Sequence, residues 1–286
     1  MSKAKKIEIR EWNNSNFIHR DDWIAPEAPL SIVLEWHDED GKHRRDLAVT
    51  MRTPGHDHDL VRGLLYSEGI IAKAEDIQQI RYMDLSNHEI EETAKVLVNL
   101  AEGIIPDTEM LDRQFTAYAA CGICGKQSLD QIESLCPFLL PRGYPSWSPE
   151  MISSLPDKLL NTQEHFENTG GMHAAALFDL NGEIIMIRED IGRHNAVDKV
   201  IGAAITKITP PMTKTGLLLS GRAGFELVQK ALAAGITMVA AIGAASSLAI
   251  TLAKDHDLSL IGFLRKDRMI IYTGWDRVTG SIRLSE

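Results

Sequence analysis

Residues 217–234 spell out one structural unit, and residues 238–254 spell it out again. Leu217-Leu218-Leu219 is a continuous apolar run, the mark of a strand buried on both faces. It enters Ser220-Gly221-Arg222-Ala223-Gly224 and then a helix over residues 225–234, closed by Gly235. The second unit has a strand at 238–242, the turn Gly243-Ala244-Ala245-Ser246 and a helix to about Lys254. Strands that alternate with helices pair in parallel, and the helices cover the faces of the sheet.

The flanking segments extend that sheet. Residues 174–180 and 183–188 read as strands joined by Asn181-Gly182, the strongest short hairpin signal. A helix follows from about Asn195, with Val197, Val200, Ile201, Ala204 and Ile205 on one face. Residues 258–263 make a last buried strand, and residues 269–273 a final one beyond Leu264-Arg265-Lys266-Asp267-Arg268. The order β-β-α-β-α-β-α-β with right-handed crossovers predicts an α/β fold. It is a three-layer α/β sandwich whose element order resembles the cytidine deaminase fold.

The first half has a different texture. After a polar tail, residues 31–37 and 45–51 flank Asp38-Glu39-Asp40-Gly41, a hairpin signature. Thr53-Pro54 starts a helix in which Asp57 and Asp59 favour the positive N-terminus. Leu60, Val61, Leu64 and Leu65 form its apolar stripe, and Gly69 suits the position just past its end. Strands at 77–83 and 94–100 complete a small α+β domain. Prolines 137, 141, 145, 149 and 156 then punctuate the chain. Proline bars long helices and central strands, so this stretch reads as a connector with room for one short helix. The expected division is 1–140 for the N-terminal α+β domain and 141–286 for the α/β domain.

Charge narrows the partners. A net charge of −10 and a pI near 5.5 argue against a general nucleic-acid-binding surface. Three lysines among the first six residues lack a following apolar stretch, so no secretory signal is expected, and no apolar run has the length of a membrane span. A reducing cytoplasm is the default compartment.

Cys121-Gly122-Ile123-Cys124-Gly125 gathers two of the three cysteines. Two thiols at this spacing hold a metal, cycle between dithiol and disulfide, or let one carry a transferable sulfur that the other resolves. Gly122 and Gly125 keep the backbone around Cys124 adaptable. A closed zinc site wants four ligands; Cys136 precedes a proline, and no histidine has companion spacing, so no zinc is expected. Thioredoxin-like chemistry wants a strand before the pair, and residues 115–120 are not clearly one. A zinc-binding or thiol–disulfide accessory protein is the alternative reading. Zinc deaminase chemistry is absent from the shared framework, because His194 is followed by Asn195 and Ala196 without the required glutamate.

Open α/β sheets bind ligands beyond the carboxyl ends of their strands. Arg193 and His194, then Ser220, Gly221 and Arg222, then Arg265, Lys266 and Arg268 all follow predicted strands. Cations and free amides at several strand ends of an acidic chain suit a phosphate-bearing ligand. His173 sits where a loop enters a strand.

Together these residues resemble the FdhD family, the accessory sulfurtransferases needed for active formate dehydrogenase. The resemblance runs from about Ala48 to Thr273. It is carried by Thr53-Pro54, Ser67-Glu68-Gly69-Ile70-Ile71, the cysteine loop, Thr169-Gly170 with His173-Ala174-Ala175, the stretch from Glu189 through Gly192-Arg193-His194-Asn195 to Lys199, Ser220-Gly221-Arg222-Ala223, and Gly262-Phe263. Such proteins accept persulfide sulfur from a cysteine desulfurase and deliver it to the molybdenum of bis-molybdopterin guanine dinucleotide. The resemblance implies Cys121 as the persulfide carrier and Cys124 as its partner thiol. It places the guanine nucleotide portion of the cofactor near Phe263, Leu264, Arg265, Lys266, Asp267 and Arg268, with Arg193, His194, Ser220, Gly221, Arg222 and His173 completing the expected site. Formate dehydrogenase is the implied recipient, and a homodimer is the base-rate expectation. Where the family often has proline and glycine after the last buried strand, this chain reads Arg265-Lys266-Asp267-Arg268.

Overall fold

The computed structural model describes residues 4–83, 93–107, 135–162 and 171–281. The anticipated parallel unit is there. Strands β9 (Gly216–Leu219), β10 (Met238–Ala241) and β11 (Ser259–Arg265) run parallel, linked by helices α4 (Phe225–Ala233) and α5 (Ser247–Asp255). The hairpin β7 (His173–Phe178) and β8 (Ile184–Asp190) adds antiparallel through β7, and β12 (Arg268–Thr273) closes the other edge. The resulting order is β12-β11-β10-β9-β7-β8. Helix α3 (Arg193–Ala204) connects the hairpin to β9.

Strand alternation splits the core in two. Ala175, Leu177, Leu217, Leu219, Val239 and Leu260 pack in one apolar cluster with α3, α4 and α5. Ala174, Ala176, Phe178, Leu218, Met238 and Ile261 belong to the other, with Ile152, Leu155 and Leu159. Those last three lie on α2 (Pro149–Thr162), which supplies the third layer. The proline-rich stretch is therefore not a connector with one short helix; it contains a helix of 14 residues. Pro149 occupies its first position, where a missing N–H costs nothing, and the Ser148 hydroxyl accepts the Met151 N–H at 3.1 Å. Pro156 lies inside the helix, where burial of three apolar residues at helical spacing outweighs the lost hydrogen bond.

The first half contains a second sheet, ordered β4-β3-β6-β5. Strands β3 (Ala28–Asp38) and β4 (Gly41–Arg52) form the expected hairpin, and β5 (Ile77–Tyr82) and β6 (Ala94–Leu100) fall where anticipated. Helix α1 (Asp57–Ser67) buries Leu60, Val61, Leu64 and Leu65. It starts at Asp57 rather than at Thr53-Pro54, because Gly55 and His56 take φ +105° and +56°, outside the α-helical region. At the far end Gly69 takes φ +72°, and the Ile70 N–H reaches back to the Leu65 carbonyl at 2.9 Å, which satisfies the helix end.

The polar tail is also structured. Strands β1 (Lys5–Asn13) and β2 (Asn16–Ile24) form a hairpin of their own, closed by Asn14 and Ser15 at φ +44° and +116°. Its mixed charges hide the pattern in the sequence. In space they pair across the strands, as Lys6 does with Asp21 at 2.6 Å.

Candidate functional site

The antiparallel insertion of β7 decides where the site forms. It places His173, the first residue of β7, opposite Asp190, the last residue of β8. The turns after β9 and β10 leave the same edge, and successive turns are stitched together by backbone. The Ser220 N–H donates to the Ala174 carbonyl at 3.0 Å, and the Ser220 hydroxyl accepts the Ala174 N–H at 2.9 Å. Gly243 donates to the Gly221 carbonyl at 2.9 Å, and Phe263 donates to the Gly243 carbonyl at 2.9 Å. Glycine is required at 243 by this stitching, since a Cβ there would lie 2.8 Å from the Arg222 backbone nitrogen. Gly224 is different, because a Cβ there would meet nothing within 4 Å and the helix start stays open.

Three helices begin along this edge, capped by Gly192, Gly224 and Ser246. Ser246 satisfies the Ala249 N–H with its own hydroxyl, whereas the two glycines have no side chain with which to do so. The starts of α3 and α4 thus keep amides available to an anion. Arg193 is the first residue of α3, and its buried Nε has no hydrogen-bond partner among the described residues. Arg222 is exposed in the turn before α4. His194 bridges the two helices through an Nε2 to Glu226 Oε2 contact of 2.7 Å. Glu226 is the site residue that sequence reasoning missed, and no spacing in the chain relates positions 194 and 226; only the packing of α3 beside α4 does. Burial lowers the pKa of His173, and the positive charges of Arg193 and His194 push the same way against Asp190.

His173, Arg193, His194, Ser220, Gly221 and Arg222 therefore share one edge of the sheet, with Phe263 beside them through Gly243. Phe263 has φ +49° and is 40% exposed. A left-handed conformation costs a non-glycine residue about 1–3 kcal/mol, and such positions cluster at functional sites. Leu264 is fully buried in the core cluster that α2 covers. Arg265, Lys266, Asp267 and Arg268 are exposed at the tip of the β11–β12 hairpin, where Arg265 and Arg268 face each other. Arg265 is tied back to the sheet by a 2.7 Å bond to the Ile242 carbonyl. Cys121 and Cys124 lie outside the described residues, as do Thr169 and Gly170.

Much of the stretch from Glu189 to Lys199 turns inward instead. The Asp190 carboxylate is completely buried; it pairs with Lys199 at 2.7 Å and accepts N–H groups of Thr53 and Gly192 at 3.1 and 2.9 Å. Lys199 also donates to the Thr53 carbonyl at 2.8 Å. Asn195 reaches the Met51 carbonyl at 2.7 Å. Asp198 takes bonds from Ser67 and Lys230 at 3.1 and 2.6 Å, and burial pushes its carboxyl up despite that lysine. These side chains clamp the first half of the chain to the start of α3. Among the described residues no group of three or more His, Cys, Asp or Glu is placed to hold a metal, and no helix is long and apolar enough to cross a membrane.

A mixed α/β sheet with glycine turns, open helix starts and cations along one edge is the architecture of proteins that bind ligands beyond their strand ends. The chain belongs to the FdhD/NarQ family, whose profile matches residues 25–279. It is 43% identical over 278 residues to the sulfur carrier protein FdhD of Streptomyces avermitilis, covering 96% of this chain and 95% of that one. It is 40% identical over 276 residues to the protein of the same name from Sulfolobus acidocaldarius, covering 96% and 99%. The fold is shared with a crystal structure from Desulfotalea psychrophila, described as a candidate formate dehydrogenase accessory protein. The TM-score is 0.71 at 22% identity, and the match covers 97% of this chain and all of the other.

Proposed function

We propose that this chain is a cytoplasmic sulfur carrier that serves formate dehydrogenase. The observation that carries the reading is the glycine-bearing Cys121-x-x-Cys124 loop in a chain whose relatives at 40–44% identity are named sulfur carrier proteins. In the first step the Cys121 thiolate attacks the terminal sulfur of a cysteine desulfurase persulfide. A new S–S bond forms, the donor's S–S bond breaks, and the donor cysteine leaves as thiolate. The acceptor is the molybdenum of bis-molybdopterin guanine dinucleotide, which is cargo rather than a resident cofactor. Cys124 resolves the carrier: its attack on the Cys121 sulfur releases the outer sulfur as sulfide and leaves a disulfide.

The sheet edge supplies the complementary part. Open amides in the first turns of α3 and α4, with Arg193 and Arg222, suit the phosphates of the guanine dinucleotide, and exposed Phe263 offers a ring to its base. We read the framework around it as cytidine-deaminase-like, supported by the parallel β9–β10–β11 core flanked by a β7–β8 hairpin. The division at residue 140 belongs to the same reading.

The test is intact-mass analysis after incubation with a cysteine desulfurase and cysteine. The expected product gains one sulfur atom, loses it to reductant, and is not formed by Cys121→Ala. A wild-type protein that gains no sulfur refutes the carrier role, and a persulfide mapped to Cys124 alone reverses the two thiols.

A further inference from the structure

Helices α3 and α4 meet through two polar contacts at matching depths. His194 is the second residue of α3 and Glu226 the second of α4, and they touch at 2.7 Å. Four residues further along each helix, Lys230 reaches Asp198 at 2.6 Å. Four residues are just over one helical turn, about 6 Å along the axis, so the two contacts are successive rungs of one ladder. Rungs of equal depth mean that the helices run side by side in the same direction, with their starts level.

The order of the groups fixes that level. In the upper rung an imidazole N–H on α3 donates to a carboxylate on α4. In the lower rung an ammonium on α4 donates to a carboxylate on α3. Sliding α4 by one turn in one direction would set Glu226 against Asp198, carboxylate against carboxylate. Sliding it the other way would set Lys230 against His194, donor against donor. Either slip strands polar groups in a packed interface, so only the observed register satisfies both rungs.

The rungs differ in burial. Asp198 and Lys230 are buried, and Ser67 at the end of α1 adds a bond to Asp198 at 3.1 Å. His194 and Glu226 are partly exposed, in the same first turns that carry the open amides. Arg193, beside His194, has a buried Nε without a hydrogen-bond partner among the described residues. A buried donor left in that state is one a ligand can satisfy.

We propose that Glu226 is a positioning residue: through His194 it holds the start of α4 level with that of α3, so that both starts meet one phosphate-bearing ligand. The buried lower rung anchors the pair, and the upper rung sets the last turn of alignment. Glu226 acts through the histidine and not on the phosphate, which its own charge repels. The inference rests on the nucleotide reading of this edge and adds to it a residue that aligns the edge.

Calorimetry of the full chain with GDP and with guanosine tests it in Glu226→Ala and Glu226→Gln. Alanine breaks the upper rung, and the misaligned starts should weaken GDP about tenfold. Guanosine, which lacks phosphate, should stay within about twofold of the wild type. Glutamine keeps an acceptor for the imidazole N–H and should restore GDP to within about threefold. Removing a negative charge would by itself tighten GDP, so a loss in the alanine variant reports alignment. The lower rung remains in both variants, and thermal melts close to wild type guard against misfolding. Where the wild type prefers GDP to guanosine, three results overturn the proposal alone: GDP undiminished in Glu226→Ala, equal losses of both ligands, or Glu226→Gln as weak as Glu226→Ala. A wild type that binds the two ligands equally overturns the nucleotide reading, and this proposal with it.

Discussion

Gly63 of α1 and Gly202 of α3 bring two helices into backbone contact. A Cβ on Gly63 would lie 1.8 Å from the Asp198 carbonyl oxygen, and one on Gly202 would lie 2.5 Å from the Gly63 nitrogen. The glycines set how deeply the first half of the chain seats on the second. With the helices at this separation, Ser67 reaches Asp198 at 3.1 Å and Arg188 reaches Asp59 at 2.8 Å.

Gly63→Ala should consequently be among the most damaging small substitutions in the chain. The obstructing atoms are backbone and cannot rotate away, so the helices must part. Overpacking typically costs about 1–3 kcal/mol, and this site belongs at or above the top of that range. Urea unfolding of the variant measures the loss; a cost below about 1 kcal/mol would mean the helices separate easily.

Lys199→Met should destabilise by about 3–5 kcal/mol, because it leaves the Asp190 carboxylate buried without its cation. Adding Asp190→Asn removes that stranded charge and should recover part of the loss. A double variant no more stable than Lys199→Met alone would show that the N–H groups of Thr53 and Gly192 suffice for the carboxylate.

The parallel half was legible because continuous apolar strands and glycine-closed helices report their own structure. Leu217-Leu218-Leu219 followed by Gly221 needs no distant information. The failures have a common cause. Charged β1 and β2 and proline-bearing α2 lack strong local signals, and each is defined by what it meets across space. The site divides likewise. Arg193, His194 and Arg222 were readable from strand-to-helix turns, whereas Glu226 was not. Asp190 and Lys199 were legible as a motif but not as a clamp, because their shared partner Thr53 lies over a hundred residues earlier.

His173 should titrate below the ordinary histidine value of 6.5, because burial and the neighbouring Arg193 and His194 disfavour its charged form more than Asp190 favours it. A histidine depressed in this way binds protons more readily unfolded than folded. Its contribution to stability is therefore full above pH 6.5 and is lost as pH falls from there through the folded value. NMR titration of the ring gives the midpoint directly, and thermal melts of His173→Gln should show a weaker acid-side decline than wild type. A midpoint above 6.5 would place a negative group next to this ring.

Guanine nucleotides should bind the sheet edge, with the diphosphate favoured over the nucleoside. Glycine-opened starts of α3 and α4 offer amides, and Arg193, Arg222 and Arg268 offer cations. A charge-assisted contact is worth roughly 1.5–3 kcal/mol, so replacing Arg222 and Arg268 together by alanine should weaken GDP at least about tenfold. Guanosine lacks the phosphates and should be much less affected. Rising salt should weaken GDP for the same reason. Cys121→Ala changes a different part of the chain and should leave the affinity nearly intact. Calorimetry with GDP and guanosine on these variants decides between outcomes: equal affinity for the two ligands, or no loss in the double arginine variant, moves the nucleotide away from this edge while leaving the cysteine chemistry untouched.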